Sequence, residues 1–168
     1  MKKLDNAFYA EPAETLAPKL LGKFLCVKSA SGTEKYRITE TEAYCGEKDT
    51  ACHASKGRTK RTEIMYQKGG AAYIYLCYGI HSLLNIVTGK EGSPEAVLIR
   101  GIEGFSGPGK LTKKLGITTA QNGTDLVTSG ELWLEDDGLS PAYTTTPRIG
   151  IAYAAEEDRE RLWRFLIG

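Results

Sequence analysis

The chain has 168 residues, with 22 Lys+Arg against 21 Asp+Glu, a net charge of +1 and 41% hydrophobic residues. That length suits one domain burying roughly 70% of its unfolded surface, with no need of disulfide or metal staples, and the balanced charge excludes a uniformly basic polyanion binder. No stretch approaches the ~20 apolar residues of a membrane span, and four cysteines (Cys26, Cys45, Cys52, Cys77) without C-x-x-C spacing argue for free thiols in a reducing compartment rather than a zinc or redox centre.

The opening Met-Lys-Lys-Leu-Asp-Asn has no apolar run behind it, so no signal peptide is expected. Residues 12–22 read as a helix that ends at Gly22 and is kinked or shortened by Pro18. Residues 23–29 read as a strand, Ser31-Gly32 as a hairpin turn, and 35–44 as the returning strand. Residues 45–70 are expected to be mostly loop, with one helical turn near Glu63–Tyr66. Residues 72–77 and 82–88 are strands on either side of a turn at Gly79, and 95–102 is a further strand. A Gly-Pro-Gly turn precedes a helix at 109–115. Leu132–Leu134 and Arg148–Ile151 are expected as late strands, and 156–161 as a short charged helix or turn. There are no repeats or linkers, so the pattern predicts one antiparallel-rich α+β domain over residues 1–168.

The densest chemistry lies in residues 40–53, Glu-Thr-Glu-Ala-Tyr-Cys-Gly-Glu-Lys-Asp-Thr-Ala-Cys-His. On a strand Glu40, Glu42 and Tyr44 share one face. Adjacent carboxylates repel and are costly to bury, so a core gains nothing from them, whereas a site that activates water does. Strand parity alone does not choose between Glu40 and Glu42. Lys56, Arg58, Lys60, Arg61 and Lys68 form a basic run with Glu63 as its only acid. Lys110, Lys113 and Lys114 form a second basic group, and Glu131, Glu135, Asp136 and Asp137 an acidic one. Such segregation fits either a basic binding face or an ordinary solvated surface.

Tyr73 and Tyr75 share a strand face, while Tyr78 has the opposite parity and sits beside the turn glycine, exposed at a hairpin tip. Strand tyrosines usually pack with the hydroxyl at the surface; an aromatic at a tip is poor core material and a good stacking surface. Asn85 and Arg100 interrupt apolar strands and need partners, structural or within a polar pocket. Gly104-Phe-Ser-Gly-Pro-Gly-Lys110 falls short of a nucleotide-binding P-loop, because Leu111 follows the lysine and Pro108 lacks an N–H. A single phosphate at the following helix terminus is still compatible with it. His53 and His81 are the only histidines, too few without clustered ligands to predict a metal.

In order along the chain, these blocks resemble the alkyladenine (3-methyladenine) DNA glycosylase family. They are Glu40–Tyr44, Asp49 to His53, Gly57-Arg58-Thr59 with Arg61 and Met65, Tyr73–His81 with Asn85, Ala96–Arg100, Gly107–Leu111 with Leu115-Gly116-Ile117, Arg148–Ile151, and Trp163-Arg164-Phe165. The resemblance implies a compact domain with a curved, mostly antiparallel sheet and peripheral helices. It implies a monofunctional enzyme that flips alkylated or deaminated purines from double-stranded DNA and hydrolyses the N-glycosidic bond, with no cofactor and no metal. It assigns Glu42 as the base that activates water and Arg100 as a polar contact beside it. Tyr44, His53 and Tyr75 become the walls of the base pocket, Asn85 the residue that disfavours guanine, and Tyr78 the wedge. Arg58, Arg61 and Lys110 become contacts to the DNA backbone. A monomer, free of membranes and lying in the cytoplasm of a bacterium or otherwise intracellular, is the matching expectation. Two departures stand out: Pro18 interrupts a helix that is usually continuous in the family, and the sequence stops at Gly168, where members commonly carry a further short segment.

Two other readings compete at the level of residues. A carbohydrate glycosidase would use Glu40 and Glu42 as its carboxylate pair, but it has no use for the basic loop or the tip tyrosine. A non-catalytic module that recognises distorted DNA would use the same surface and not need Glu42.

Overall fold

In a computed structural model describing residues 1–168, the chain begins with β1 (Lys2–Lys3), α1 (Asn6–Tyr9), α2 (Ala13–Leu20), β2 (Phe24–Ser29) and β3 (Gly32–Cys45). Single 3-10 turns follow at His53–Lys56 and Glu63–Tyr66, then β4 (Ala72–Cys77), β5 (His81–Thr88), β6 (Glu95–Ile102), β7 (Phe105–Ser106) and α3 (Pro108–Leu115). After a 3-10 turn at Thr119–Gln121 come β8 (Leu132–Asp136), β9 (Tyr143–Thr146), α4 (Glu156–Arg159) and β10 (Arg164–Ile167).

The strands form a 10-stranded sheet in the order β1-β8-β2-β3-β6-β5-β4, with β10 beside β3, β9 beside β10 and β7 beside β6. Every pairing is antiparallel. The 14-residue β3 is the spine. Its first half pairs with β2, and its second half lies between β6 and β10. The register against β6 shifts between Ile38 and Glu40 and again between Glu40 and Thr41. Such a bulge bends a strand and re-aims its side chains. Ile38 therefore enters the core while Glu40, two residues on, leaves for the opposite face.

A core of 25 buried residues, rich in Leu and Ile, fills the side of the sheet covered by α2 and α3. Thr41 Oγ1 donates to Ala17 O at 2.8 Å and Thr112 Oγ1 to Ser82 O at 2.6 Å, which fixes each helix on its strand. Proline at the start and Gly116 at φ +68° just past the end set the limits of α3. Gly69 allows the tightest backbone crossing: a Cβ there would lie 2.0 Å from Tyr9 O.

The predicted single α+β domain with its antiparallel sheet and peripheral helices is what forms, and Pro18 does lie inside a helix of only 8 residues. Other expectations need correction. Arg148–Ile151 is an irregular segment, not a strand, because Arg148 turns inward to an ion pair and the Ile149 N–H goes to a side chain instead of a ladder. The turn after β2 is Ala30-Ser31, with Gly32 already paired to Ser29. The loop at 45–70 holds a second 3-10 turn at His53–Lys56. Strands β1, β7, β9 and β10 and helix α1 were not expected. The two-residue β1 exists through its pairing with Glu135 and Asp136, whereas α1 had a local signal, Asp5 accepting from the Phe8 N–H.

Candidate functional site

Beyond the bulge, alternation on β3 is regular. Thr41 and Ala43 point to the core, and Glu40, Glu42 and Tyr44 to the other face. Glu42 is 0% exposed. Its Oε1 accepts from the Tyr44 hydroxyl at 2.9 Å and its Oε2 from the Ile149 N–H at 2.7 Å. Arg100 on β6 bridges the two carboxylates, with Nε 3.0 Å from Glu40 Oε2 and 3.8 Å from Glu42 Oε2. Glu40 Oε2 also accepts from Arg164 Nε at 2.6 Å. With two guanidinium groups on it, Glu40 is committed to holding the arginines. Burial pushes the Glu42 carboxyl above its ordinary pKa, and Arg100, the Ile149 N–H, the Tyr44 hydroxyl and Arg148 pull it back. The result is a sealed carboxylate more basic than one in water, a property suited to taking a proton.

Tyr44, His53, Tyr75 and Asn85 meet in a recess of about 40 Å³. It adjoins a cleft of about 550 Å³ whose walls include Tyr44, His53, Tyr75, Tyr78, Arg100 and Lys110. The His53 and Tyr75 rings lie 4.5 Å apart at 60°, and His53 Nδ1 is 2.8 Å from the Tyr73 hydroxyl. Burial, helped by Arg61 and Lys56, lowers the His53 pKa to about 4, so the imidazole is neutral at pH 7. Asn85 is buried and donates to Tyr73 O at 3.2 Å. Together the walls are flat, aromatic and uncharged, a surface suited to a planar ring.

Tyr78 is 91% exposed and is the only non-glycine residue with positive φ, +53°. Gly79 follows at φ +66°, and the Ile80 N–H donates to Cys77 O. Two successive positive φ values closed by such a bond mark a type I′ turn, which favours Asn-Gly. A bulky ring at its first position costs conformational energy and buries nothing, and strain of that kind gathers at functional sites. Ile80 and Leu76 beside it are also exposed, so the tip presents an apolar point to solvent.

The sequence-predicted backbone contacts separate. Arg61 lies over the Tyr75 ring at 5.2 Å, at the rim of the recess. Lys110 lines the cleft, where the neighbouring Gly109 packs so closely on His81 that a Cβ would come within 3.1 Å. Arg58, by contrast, is tied to Glu63 at 2.6 and 2.7 Å and stacked on Tyr66. The acidic group is largely neutralised, with Glu135 on Lys35, Asp136 on Lys23 and Asp137 on Arg37. No cluster of three or more His, Cys, Asp and Glu is placed to hold a metal ion.

Sequence reasoning gave no role to Arg148, the Ile149 N–H, Asp49, Arg164 or Tyr153. Arg148 pairs with Asp49 at 2.6 and 2.9 Å, both side chains being essentially unexposed. Tyr153 lines both recess and cleft and donates to Ala51 O. The motif Arg148–Ile151 was visible in the sequence, but nothing local says what it touches.

The family model described as methylpurine-DNA glycosylase (MPG) matches residues 7–106 and 103–168. Among curated proteins, three similar chains each bear the name "Putative 3-methyladenine DNA glycosylase". The protein from Methanocella arvoryzae is 45% identical over 98% of this chain and 92% of its own length. That from Rickettsia felis is 42% identical over 98% and 92%, and that from Psychrobacter cryohalolentis 44% identical over 95% and 89%.

Proposed function

The chain belongs to the methylpurine-DNA glycosylase family, and from that premise we propose how its site excises damaged purines in base excision repair. The observation that carries the reading is Glu42, a buried carboxylate held by Tyr44, Arg100 and the Ile149 N–H behind an aromatic cleft topped by a strained, exposed Tyr78. A purine inside a duplex is out of reach of such a site, so the nucleotide is extruded at a cost of a few kcal/mol. Stacking on the Tyr44, His53 and Tyr75 walls, at roughly 1–3 kcal/mol per base, offsets that cost. Tyr78 fills the vacated stack. Arg61 over the Tyr75 ring and Lys110 in the cleft wall fit phosphates flanking the flipped nucleotide, and Arg58 contributes only where DNA displaces Glu63.

In the reaction Glu42 takes a proton from water, the water oxygen bonds to sugar C1′, and the C1′–N bond breaks with its electron pair leaving on the purine. An N3- or N7-alkylated purine is cationic and departs neutral; hypoxanthine has to gain a proton. The uncharged aromatic walls and neutral His53 suit either kind of base. Asn85, which lines the recess, would select against the exocyclic amine of guanine. No lysine lines the recess, so cleavage of the strand through a Schiff base is not expected. The partner is double-stranded DNA bearing damaged purines, met by a monomer inside the cell; four free thiols accord with a reducing compartment.

Glu42→Gln tests the assignment. Release of 3-methyladenine or hypoxanthine from a duplex should fall by about 10²–10⁴-fold, the usual contribution of a general base, while binding to the lesion duplex survives. Full release by that variant would remove Glu42 from the chemistry. No release by the wild-type protein from any modified duplex would leave a distortion-binding module.

A further inference from the structure

We propose that Asp49 and Arg148 are positioning residues that hold the Ile149 N–H against Glu42 and so keep the catalytic carboxylate aimed and ionised. This rests on the glycosylase reading for its purpose, though not for its geometry.

Arg148 is among the most constrained side chains in the molecule. Besides its two bonds to Asp49, it donates to Ala43 O at 2.9 Å and Asp158 O at 3.2 Å. Its guanidinium lies 4.9 Å from the Tyr44 ring and 4.9 Å from the Trp163 ring. Asp49 is fixed in turn by the N–H groups of Cys45 at 2.9 Å and Ala51 at 3.1 Å. The pair therefore references residue 148 to the end of β3, the strand that carries Glu42. The next residue, Ile149, leaves its side chain 48% exposed at the cleft while its N–H reaches Glu42 Oε2.

Fastening a loop does not by itself call for this arrangement. Burying two charges costs several kcal/mol per ion before their attraction is counted, and apolar residues often pack as well or better. Here Arg148 Nε is also left buried without a partner. What an ion pair supplies that an apolar plug does not is a fixed direction for the backbone beside it.

Glu42 is faced by Tyr44 and Glu40 from β3, Arg100 from β6, Arg164 from β10, and Arg148, the Ile149 N–H and Tyr153 from the irregular segment. Arg100 is shared and sits closer to Glu40. The Ile149 N–H and the Tyr44 hydroxyl are then the only direct hydrogen bonds to the Glu42 oxygens. Losing the N–H raises the pH at which Glu42 protonates.

The test compares wild type with Arg148→Lys, Asp49→Asn and Ile149→Pro. The last removes the N–H, leaves the Asp49–Arg148 pair intact and replaces a half-exposed side chain, so it remains informative if the buried variants fold poorly. Glu42 ionisation is followed by the ¹³C shift of its carboxyl carbon against pH, alongside the pH profile of single-turnover base release. In each variant that folds, the Glu42 midpoint and the acid limb of the profile should both rise by roughly one to two pH units, the size of a hydrogen bond to a charged group. Lesion-duplex affinity should change by less than about threefold in Arg148→Lys and Asp49→Asn, whose side chains line neither the recess nor the cleft. A Glu42 midpoint unmoved in Ile149→Pro overturns the inference and leaves Arg148 a structural staple. Failure of the glycosylase reading looks different: wild type would release no base, whereas the carboxyl titration would still report on the positioning.

Discussion

Tyr78→Asn should make the free protein more stable and the enzyme worse. Tyr78 holds φ +53° at the first position of its turn, followed by Gly79 at φ +66°. The left-handed region costs an ordinary L-residue roughly 1–2 kcal/mol, and Asn is among the few that tolerate it. The ring is 91% exposed, so its removal forfeits almost no buried surface to set against that relief. A net gain of about 0.5–1 kcal/mol follows, or roughly 1–4 °C in Tm for a chain of this length. Thermal and urea unfolding measure it, with Tyr78→Ala as the control that deletes the ring but keeps the strained backbone. Removing the ring should also weaken binding to a lesion duplex by about 5- to 150-fold, the equivalent of one stacking contact. A lowered Tm for Tyr78→Asn would show that the ring supports the fold, and unchanged lesion affinity would remove it as a wedge.

Glu42→Gln should also stabilise the fold at neutral pH. Folding raises the Glu42 pKa, so the native state favours the protonated acid; that contribution is fully present below the unfolded value and is lost as pH rises through the folded one. The stability difference between variant and wild type should accordingly vanish below about pH 4 and grow above it, as read by urea midpoints across pH. His53 behaves oppositely, because folding holds it neutral. Its contribution is intact above pH 6.5 and is lost as pH falls toward about 4, so His53→Gln should flatten the stability curve over that window. Gly69→Ala should yield little soluble protein, since its Cβ has no space beside Tyr9 O; a well-folded variant with an unshifted Tm would refute the crossing.

Where a signal was local, it could be read. The period-2 alternation of Glu40, Glu42 and Tyr44, the parity of Tyr73 and Tyr75, and Tyr78 beside Gly79 depend on neighbours a few residues apart, and strand geometry sets their directions. The same holds for α3 between its Gly-Pro-Gly and Gly116. Periodicity misled at Arg148–Ile151, where Ile149 and Ile151 flank Gly150 as they would in a short strand. Its conformation is decided by an ion pair to a residue 99 positions earlier. Beside Glu42 as the base, Glu40 reads as structural, and what it holds is not legible because Arg164, its closest partner, is 124 positions away.

Local pattern is enough to specify the antiparallel α+β domain and the composition of the site, one carboxylate face, an aromatic hairpin and a basic loop. The tertiary structure divided the labour between two chemically identical carboxylates. Glu40 is consumed by Arg100 and Arg164, and Glu42 is sealed behind the cleft with a backbone N–H on it. The reason is physical: a carboxylate's basicity depends on its burial and its partners, and these are brought to β3 by strands and loops remote in the chain.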